Sequence, residues 1–554
     1  MLSSYTQKFP NSSHDDFEAA TSSTLPPHTQ FTNHEALPSL DDSYINFTKS
    51  YPSFANTSQL DRIRAQEYHH LNPFNICFDY TGYGLFSHAQ DQSSSYASSS
   101  SRPPPPPPPF FLISYKSVTL HSQILYGGQE SELESKIRGR IMAFTNISED
   151  DYTLVFIAND VSAFKLVADS FQFQPHGELL TVYDHKSEAV DTMIETCKEQ
   201  GVHVMSAKFT WPSLSIMGRK LKKMVMCKRG KRKKGLFVFP LHSGVTGTPY
   251  SYIWMSLAQK FGWHVLLDAR ALGPKEMDTL GLTMFKPDFI VCSLYKVFGQ
   301  NPSGFGCLFI KKSSISALRE SGNATSMGIV GLSPAFRSVS PHGTEQVLSS
   351  SEIVELSTCT SLESGQSRER LGAGLEIECR GLDHADSVGL VVISCRGKYL
   401  INWLVNALIR LEHPHPPTGH ALIRIYGPKI SAQRGHVVAF NVFDWKGEKV
   451  DPAIVQKLAG RNNISLSNAF LQNIWFSERS DEEGQRALEN RDKVSNKTRK
   501  SGFGITVVTA ALGLFTNFED VYRLWAFLSR FLDADFVDKE TWRYMAINQK
   551  TIHI

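Results

Sequence analysis

Two polar residues close apolar runs of this sequence. Asp268 ends the run in HVLLDAR, and Lys296 ends the run in DFIVCSLYK. A desolvated lysine amine loses its proton readily and can hold an aldehyde as an imine. A carboxylate beside a heterocyclic nitrogen keeps that nitrogen protonated, so that the ring draws electrons. Taken singly, an Asp or Lys at a strand end usually just faces water. The neighbours raise its weight. Ser293 lies three residues before the lysine, and GQNPSGFGCLFI after it makes a glycine-rich turn. IANDVSAFKLVADS puts Asn159, Asp160 and Ser162 where a strand turns into a helix, whose first N–H groups suit a phosphate. His185 in TVYDHKSEAV is placed to stack on a ring, and His242 in LFVFPLHS joins the same set. Amine, carboxylate, imidazole and phosphate donors together describe a site for an aldehyde cofactor with a cationic ring and a phosphate.

The elements around these residues are short apolar strands alternating with helices. TLVFIAN, ELLTVYD, HVMSAKF, LFVFPLHS, HVLLDAR, DFIVCSLYK and GCLFIKK read as strands. SAFKLVADSF, KSEAVDTMIETCKEQG and YSYIWMSLAQKFG have helical period. This predicts a mainly parallel sheet covered on both faces, with ligands at the carboxyl ends of its strands. A helix (KYLINWLVNALIRL), four strands (ALIRIY, HVVAFNVF, ISLSNAF, GITVVTAAL) and a closing helix (FEDVYRLWAFLSRFL) predict a smaller α+β domain. The expected layout is a disordered region over 1–65, an ordered segment over 66–89 and a Ser/Pro-rich insertion over 90–111. The large domain follows over 112–312, a loop-rich insertion over 313–375 and the small domain over 376–554.

At 554 residues, with 41% apolar and 20% charged residues, the chain is long enough for more than one core. A net charge of +3 makes no case for nucleic acid as a partner. The N-terminus lacks the basic flank and apolar run of a secretory signal, and no stretch has the apolar length to cross a bilayer. The eight cysteines are scattered without a CxxC pair, which speaks against a metal site and against a disulfide framework. A cytoplasmic protein is the expectation. The basic run 219–234 would serve nuclear import or a polyanion, although its place just before LFVFPLHS favours a solvated loop. The seven prolines at 103–109 would dock on a proline-recognition domain, with a tolerated surface insertion as the plainer reading.

From about residue 76 to 535 the chain resembles the class V aminotransferase and cysteine desulfurase superfamily of fold type I pyridoxal-phosphate (PLP) enzymes. Within it, the match is to the PLP-binding part of molybdenum cofactor sulfurases and their shorter plant relatives. The segments that carry the resemblance are ICFDYTGYGLFS, ANDVSAFKLVADSF and SLYKVFG with SGFGCLFI. The resemblance implies an α/β fold type I transferase, usually a homodimer, with Lys296 as the imine lysine and Asp268 as the pyridinium partner. His185 becomes the stacking group, and Ser293, Asn159, Ser162 and His242 complete the cofactor site. Cysteine is the implied amino-acid substrate, giving up its sulfur to an enzyme thiol as a persulfide.

The sequence departs from the family where sulfur would move. ISLSNAFLQNIWF, which matches the family's cysteine-bearing loop, has no cysteine. GITVVTAALG lacks the carboxylate-binding arginine of the last strand, and SMGIVG replaces a glycine-threonine element. The phosphate segment reads Ala158-Asn159-Asp160-Val161-Ser162, with an acid in it, and the expectation is a short form lacking the C-terminal molybdenum cofactor-binding domain. Three readings stay open: a PLP enzyme of the sulfurase type with altered or lost sulfur transfer, a non-catalytic relative with a structural or regulatory role, and an aminotransferase or lyase acting on another amine.

Overall fold

The computed structural model describes residues 11–26, 29–68, 71, 75–79, 84–87, 89, 111–127, 130–175, 177–226, 235–271, 285–294, 305–320, 328–334, 377–414, 420–476, 504–536, 538–540 and 542–543. Lys296, the proline run 103–109, residues 227–234 of the basic run, Cys227 and Cys359 lie outside them.

Seven strands build the large sheet: β1 (Tyr152–Ile157), β2 (Glu178–Thr181), β3 (His203–Ser206), β4 (Leu236–Pro240), β5 (His264–Asp268), β6 (Phe289–Ser293) and β7 (Gly306–Lys311). Their order across the sheet is β1-β7-β6-β5-β4-β2-β3. Only β7 runs antiparallel to its neighbours. All seven runs read from the sequence are therefore strands of one sheet. The central ones are apolar along their length because helices cover both faces: Phe237, Val238, Phe239, Leu266, Leu267, Ile290 and Val291 are fully buried. Each such side chain contributes about 1.5–3 kcal/mol by leaving water.

The small domain holds a four-stranded antiparallel sheet of β8 (Ile423–Tyr426), β9 (Val437–Val442), β10 (Ser467–Leu471) and β11 (Ile505–Ala511), in the order β8-β9-β11-β10. The long helix Leu390–Ile409 and the closing helix Phe518–Ser529 pack beside it. Asn517 and Asp520 form a reciprocal capping box that starts the closing helix where its apolar stripe begins.

Three expectations change. The N-terminal region, expected to be disordered over 1–65, forms the helices Asn11–Ser22, Leu40–Ser50 and Ser58–Glu67. Their few apolar residues are anchors for another part of the chain. Phe47 packs on Trp403 and Phe518, with ring centroids 6.5 and 4.7 Å apart, and Arg396 pairs with Asp61 at 2.5 Å. The expected insertion over 313–375 contributes a strand, Val330–Pro334, paired with Phe111–Tyr115. The basic run, expected as a solvated loop, opens with the helix Gly218–Met226. It buries Leu221 and Val225 and lays Lys220 over the ring of Trp475 at 3.1 Å.

Candidate functional site

The sequence-derived site residues converge on one edge of the large sheet, the carboxyl ends of β1, β2, β4, β5 and β6. Asp268 is the last residue of β5, in register with Pro240 of β4 and Val291 of β6, and is 5% exposed. It does not face water. Ser293 closes the adjacent strand β6, two residues past Val291. Lys296 follows three positions later, outside the described residues.

Around Asp268 the polar contacts are saturated. Arg270 donates to Oδ1 from its backbone N–H at 3.1 Å and from Nε at 2.9 Å, and to Oδ2 from Nη2 at 2.8 Å. The Tyr183 hydroxyl donates to Oδ2 at 3.0 Å. Burial by itself would raise the Asp268 pKa, but the Arg270 charge and these hydrogen bonds hold it below the ordinary carboxylate value. Asp268 is therefore a buried, fixed anion. Burial, and then the Asp268 charge, push the Tyr183 hydroxyl well above its usual range, so it stays a donor.

Tyr183 also joins this strand end to that of β2, across β4, since it precedes Asp184 and His185 just beyond β2 and its ring lies 5.9 Å from the His185 imidazole. His185 Nδ1 lies 2.7 Å from Asp184, which also accepts from the hydroxyls of Ser243 and Thr246, each at 2.8 Å. Fully buried, Asp184 would titrate high. The His185 hydrogen bond and charge, with the two hydroxyls, lower it instead. The short contact of Nδ1 with Asp184 fixes the orientation of the His185 ring. His242 precedes Ser243, and its backbone bridges to Pro249 in the turn that presents these hydroxyls.

At the far edge, Asn159 caps the helix Asp160–Ser170 by accepting from the Ser162 N–H at 2.8 Å. The first turn also holds Asp160, which accepts from the Val161 N–H at 2.9 Å and pairs with Arg270. Gly328, at φ +120°, lies over this opening; its carbonyl accepts from Ala158 N–H at 2.9 Å, and a Cβ at 328 would stand 2.7 Å from that of Ser162. Gly328 of SMGIVG thus reaches the helix opening within the same chain.

The small domain closes the site from one side. Lys186 N–H donates to the Phe470 carbonyl and Gln472 N–H to that of Asp184, both at 2.8 Å. Gln472 Nε2 donates to the His185 carbonyl at 3.1 Å and Asn473 Nδ2 to that of Tyr183 at 3.2 Å. The segment ISLSNAFLQNIWF therefore lies against the His185 strand end and brings the amides of Gln472 and Asn473 there. Cys197 and Cys379 are buried elsewhere, and burial pushes them up to about 12 and 11. Among the described residues no cluster of three His, Cys, Asp or Glu could hold a metal, and no single helix is long and apolar enough to cross a membrane.

Tyr183, Asp184, Ser243, Thr246 and Arg270 are members of this cluster that the sequence did not single out. YDH and HSGVTGT lie beside His185 and His242, so proximity in sequence was their one available signal. Asp268, His185, Ser293, Asn159 and Ser162 occupy strand ends or the helix opening where they were expected.

Fold and site together define a two-part α/β architecture: a large mainly parallel sheet, a smaller α+β domain, and polar groups gathered at one sheet edge. No family model matches the chain. Its sequence is similar to the molybdenum cofactor sulfurase of Bos taurus, 24% identical over 367 residues, covering 62% of this chain and 38% of that protein. The Homo sapiens molybdenum cofactor sulfurase is 23% identical over 434 residues, covering 74% of this chain and 43% of that one. The chain spans less than half the length of either. A solved cysteine desulfurase from Thermococcus onnurineus NA1 shares 14% identity, with a TM-score of 0.46, over 74% of this chain and 87% of that one. By its sequence similarity to these sulfurases, the chain fits the sulfurase-like, class V family that its sequence resembles.

Proposed function

We propose that this chain is a PLP-dependent transferase of the sulfurase type. The observation that carries the reading is the buried, anionic Asp268 at the carboxyl end of β5, joined through Tyr183 to the Asp184–His185 pair. This donor set suits a cationic aromatic ring: an acceptor fixed as an anion, beside an imidazole fixed in orientation. PLP supplies an electron sink while its ring nitrogen is protonated. Asp268 would hold that proton, and the Tyr183 hydroxyl keeps the carboxylate aligned. Asp184, with Ser243 and Thr246, orients the His185 ring as a stacking face. Ser293 and the helix opening at Asn159 and Ser162 would take the phosphate, and Lys296 would carry the cofactor covalently. His242, beside the Ser243 hydroxyl, belongs to the wall of this site.

Cysteine is the substrate the family resemblance favours. The amides of Gln472 and Asn473 at the His185 strand end support a second reading, in which the fold and cofactor persist while sulfur transfer does not. A homodimer and a cytoplasmic location belong to the same proposal.

The deciding experiment is the visible spectrum of the purified full-length protein beside Lys296→Ala. A cofactor band abolished by the substitution, with alanine and sulfide released from added cysteine, supports the first reading. A band indifferent to cysteine supports the second. No band after reconstitution with PLP overturns both.

A further inference from the structure

Asp268 already has a cation. A carboxylate offers about four lone-pair directions, and Arg270 with Tyr183 fills them through four hydrogen bonds. The same guanidinium reaches Asp160 through Nη1 and lies 5.1 Å from the Phe164 ring centroid. It thereby spans the sheet edge from the ring-nitrogen partner to the opening of the phosphate helix.

We propose that Arg270 is an internal stand-in for the cofactor's cationic ring, a latch between Asp268 and Asp160 that must swing away before a ring nitrogen can pair with Asp268. This rests on the PLP reading above and goes beyond it by assigning a competing residue inside the site. Planar, bidentate and permanently charged, a guanidinium matches a carboxylate as a pyridinium edge does. A buried carboxylate without a partner is costly, and Arg270 supplies that partner from within the chain. Asp160 holds the other end of the latch and is itself an acid at the helix opening, where its pairing with Arg270 offsets the charge that would repel a phosphate. The Arg270 side chain is 22% exposed, which leaves it a solvent-side path.

The test is a titration of full-length wild type, Arg270→Ala and Asp160→Asn with PLP. A parallel titration uses pyridoxine 5′-phosphate, which lacks the aldehyde and reads the ring and phosphate contacts without Lys296. Dissociation constants are measured by absorbance and tryptophan fluorescence. Thermal melts check folding, and borohydride reduction followed by intact mass reads the covalent link. Arg270→Ala is expected to bind both ligands about tenfold tighter or more, the worth of one charge-assisted pair. Asp160→Asn, which keeps the Asp268 pair but frees the outer anchor, should tighten binding by a smaller factor. A residue of merely structural importance would weaken binding when removed. Unchanged or weaker affinity in Arg270→Ala, with wild type still binding PLP, overturns the latch and leaves the function standing. Should Arg270→Ala fail to fold, Asp160→Asn alone decides: no tightening overturns the proposal. No binding and no mass adduct in any protein overturns the PLP reading and the latch with it.

Discussion

Arg64 closes a two-point ion pair on Asp520, Nη1 to Oδ2 at 2.5 Å and Nη2 to Oδ1 at 3.0 Å, although the two lie 456 residues apart. The same guanidinium donates to the carbonyls of Phe515 and Leu71. It locks the third N-terminal helix to the capped start of the closing helix, and both partners are buried. Arg64→Ala strands a buried carboxylate and is expected to cost about 3–5 kcal/mol. Denaturant melts of both single variants and the double variant measure it; a loss below about 1 kcal/mol would mean that the N-terminal arm is only loosely attached.

Acid should loosen the site before it unfolds the sheet. Asp184 and Asp268 both titrate below their ordinary value in the folded protein. Their contribution is therefore fully present above the unfolded carboxylate pKa of about 3.9 and is lost as pH falls through the lower folded values. The melting temperature should fall steeply below about pH 4. Asp184→Asn should cost about 2–3 kcal/mol at pH 7 and progressively less below pH 4. An Asp184→Asn penalty that stays constant across that range would disprove the assignment.

The opening of the phosphate helix depends on Gly328. Alanine there would have to adopt φ +120° with its Cβ 2.7 Å from that of Ser162. Gly328→Ala should cost about 1–3 kcal/mol and weaken PLP binding by displacing the Ala158–Ser162 turn. Ligand titration beside a thermal melt separates the two effects, and full retention of both would show that the turn yields freely.

Buried thiols should be poor nucleophiles. With Cys379 pushed to about 11, only about one thiol in a thousand is ionised at pH 8. Iodoacetamide should label Cys197 and Cys379 slowly in the native protein and completely after denaturation, read by peptide mass. Rapid native labelling of Cys379 would make it a candidate sulfur carrier.

The Asp268 and His185 positions were legible because an apolar run that stops at a polar residue marks a strand end, and parallel strands gather their ends on one edge. The seven strands and their helices were legible for the same reason: burial on both faces writes itself as continuous apolar runs. The order of the helices over 11–67 was not. Phe47, Arg64 and Asp61 find their partners in Trp403, Asp520 and Arg396, and no local period reports a partner hundreds of residues away.

The sequence by itself determined which residues stand at strand ends and that ISLSNAFLQNIWF carries no thiol, since both are local properties of residue type and spacing. Only the tertiary structure decided that this segment lies against His185, that Tyr183 links His185 to Asp268, and that Arg270 occupies Asp268. A hydrogen bond depends on position within a few tenths of an ångström, and that precision comes from the packing of whole elements against one another.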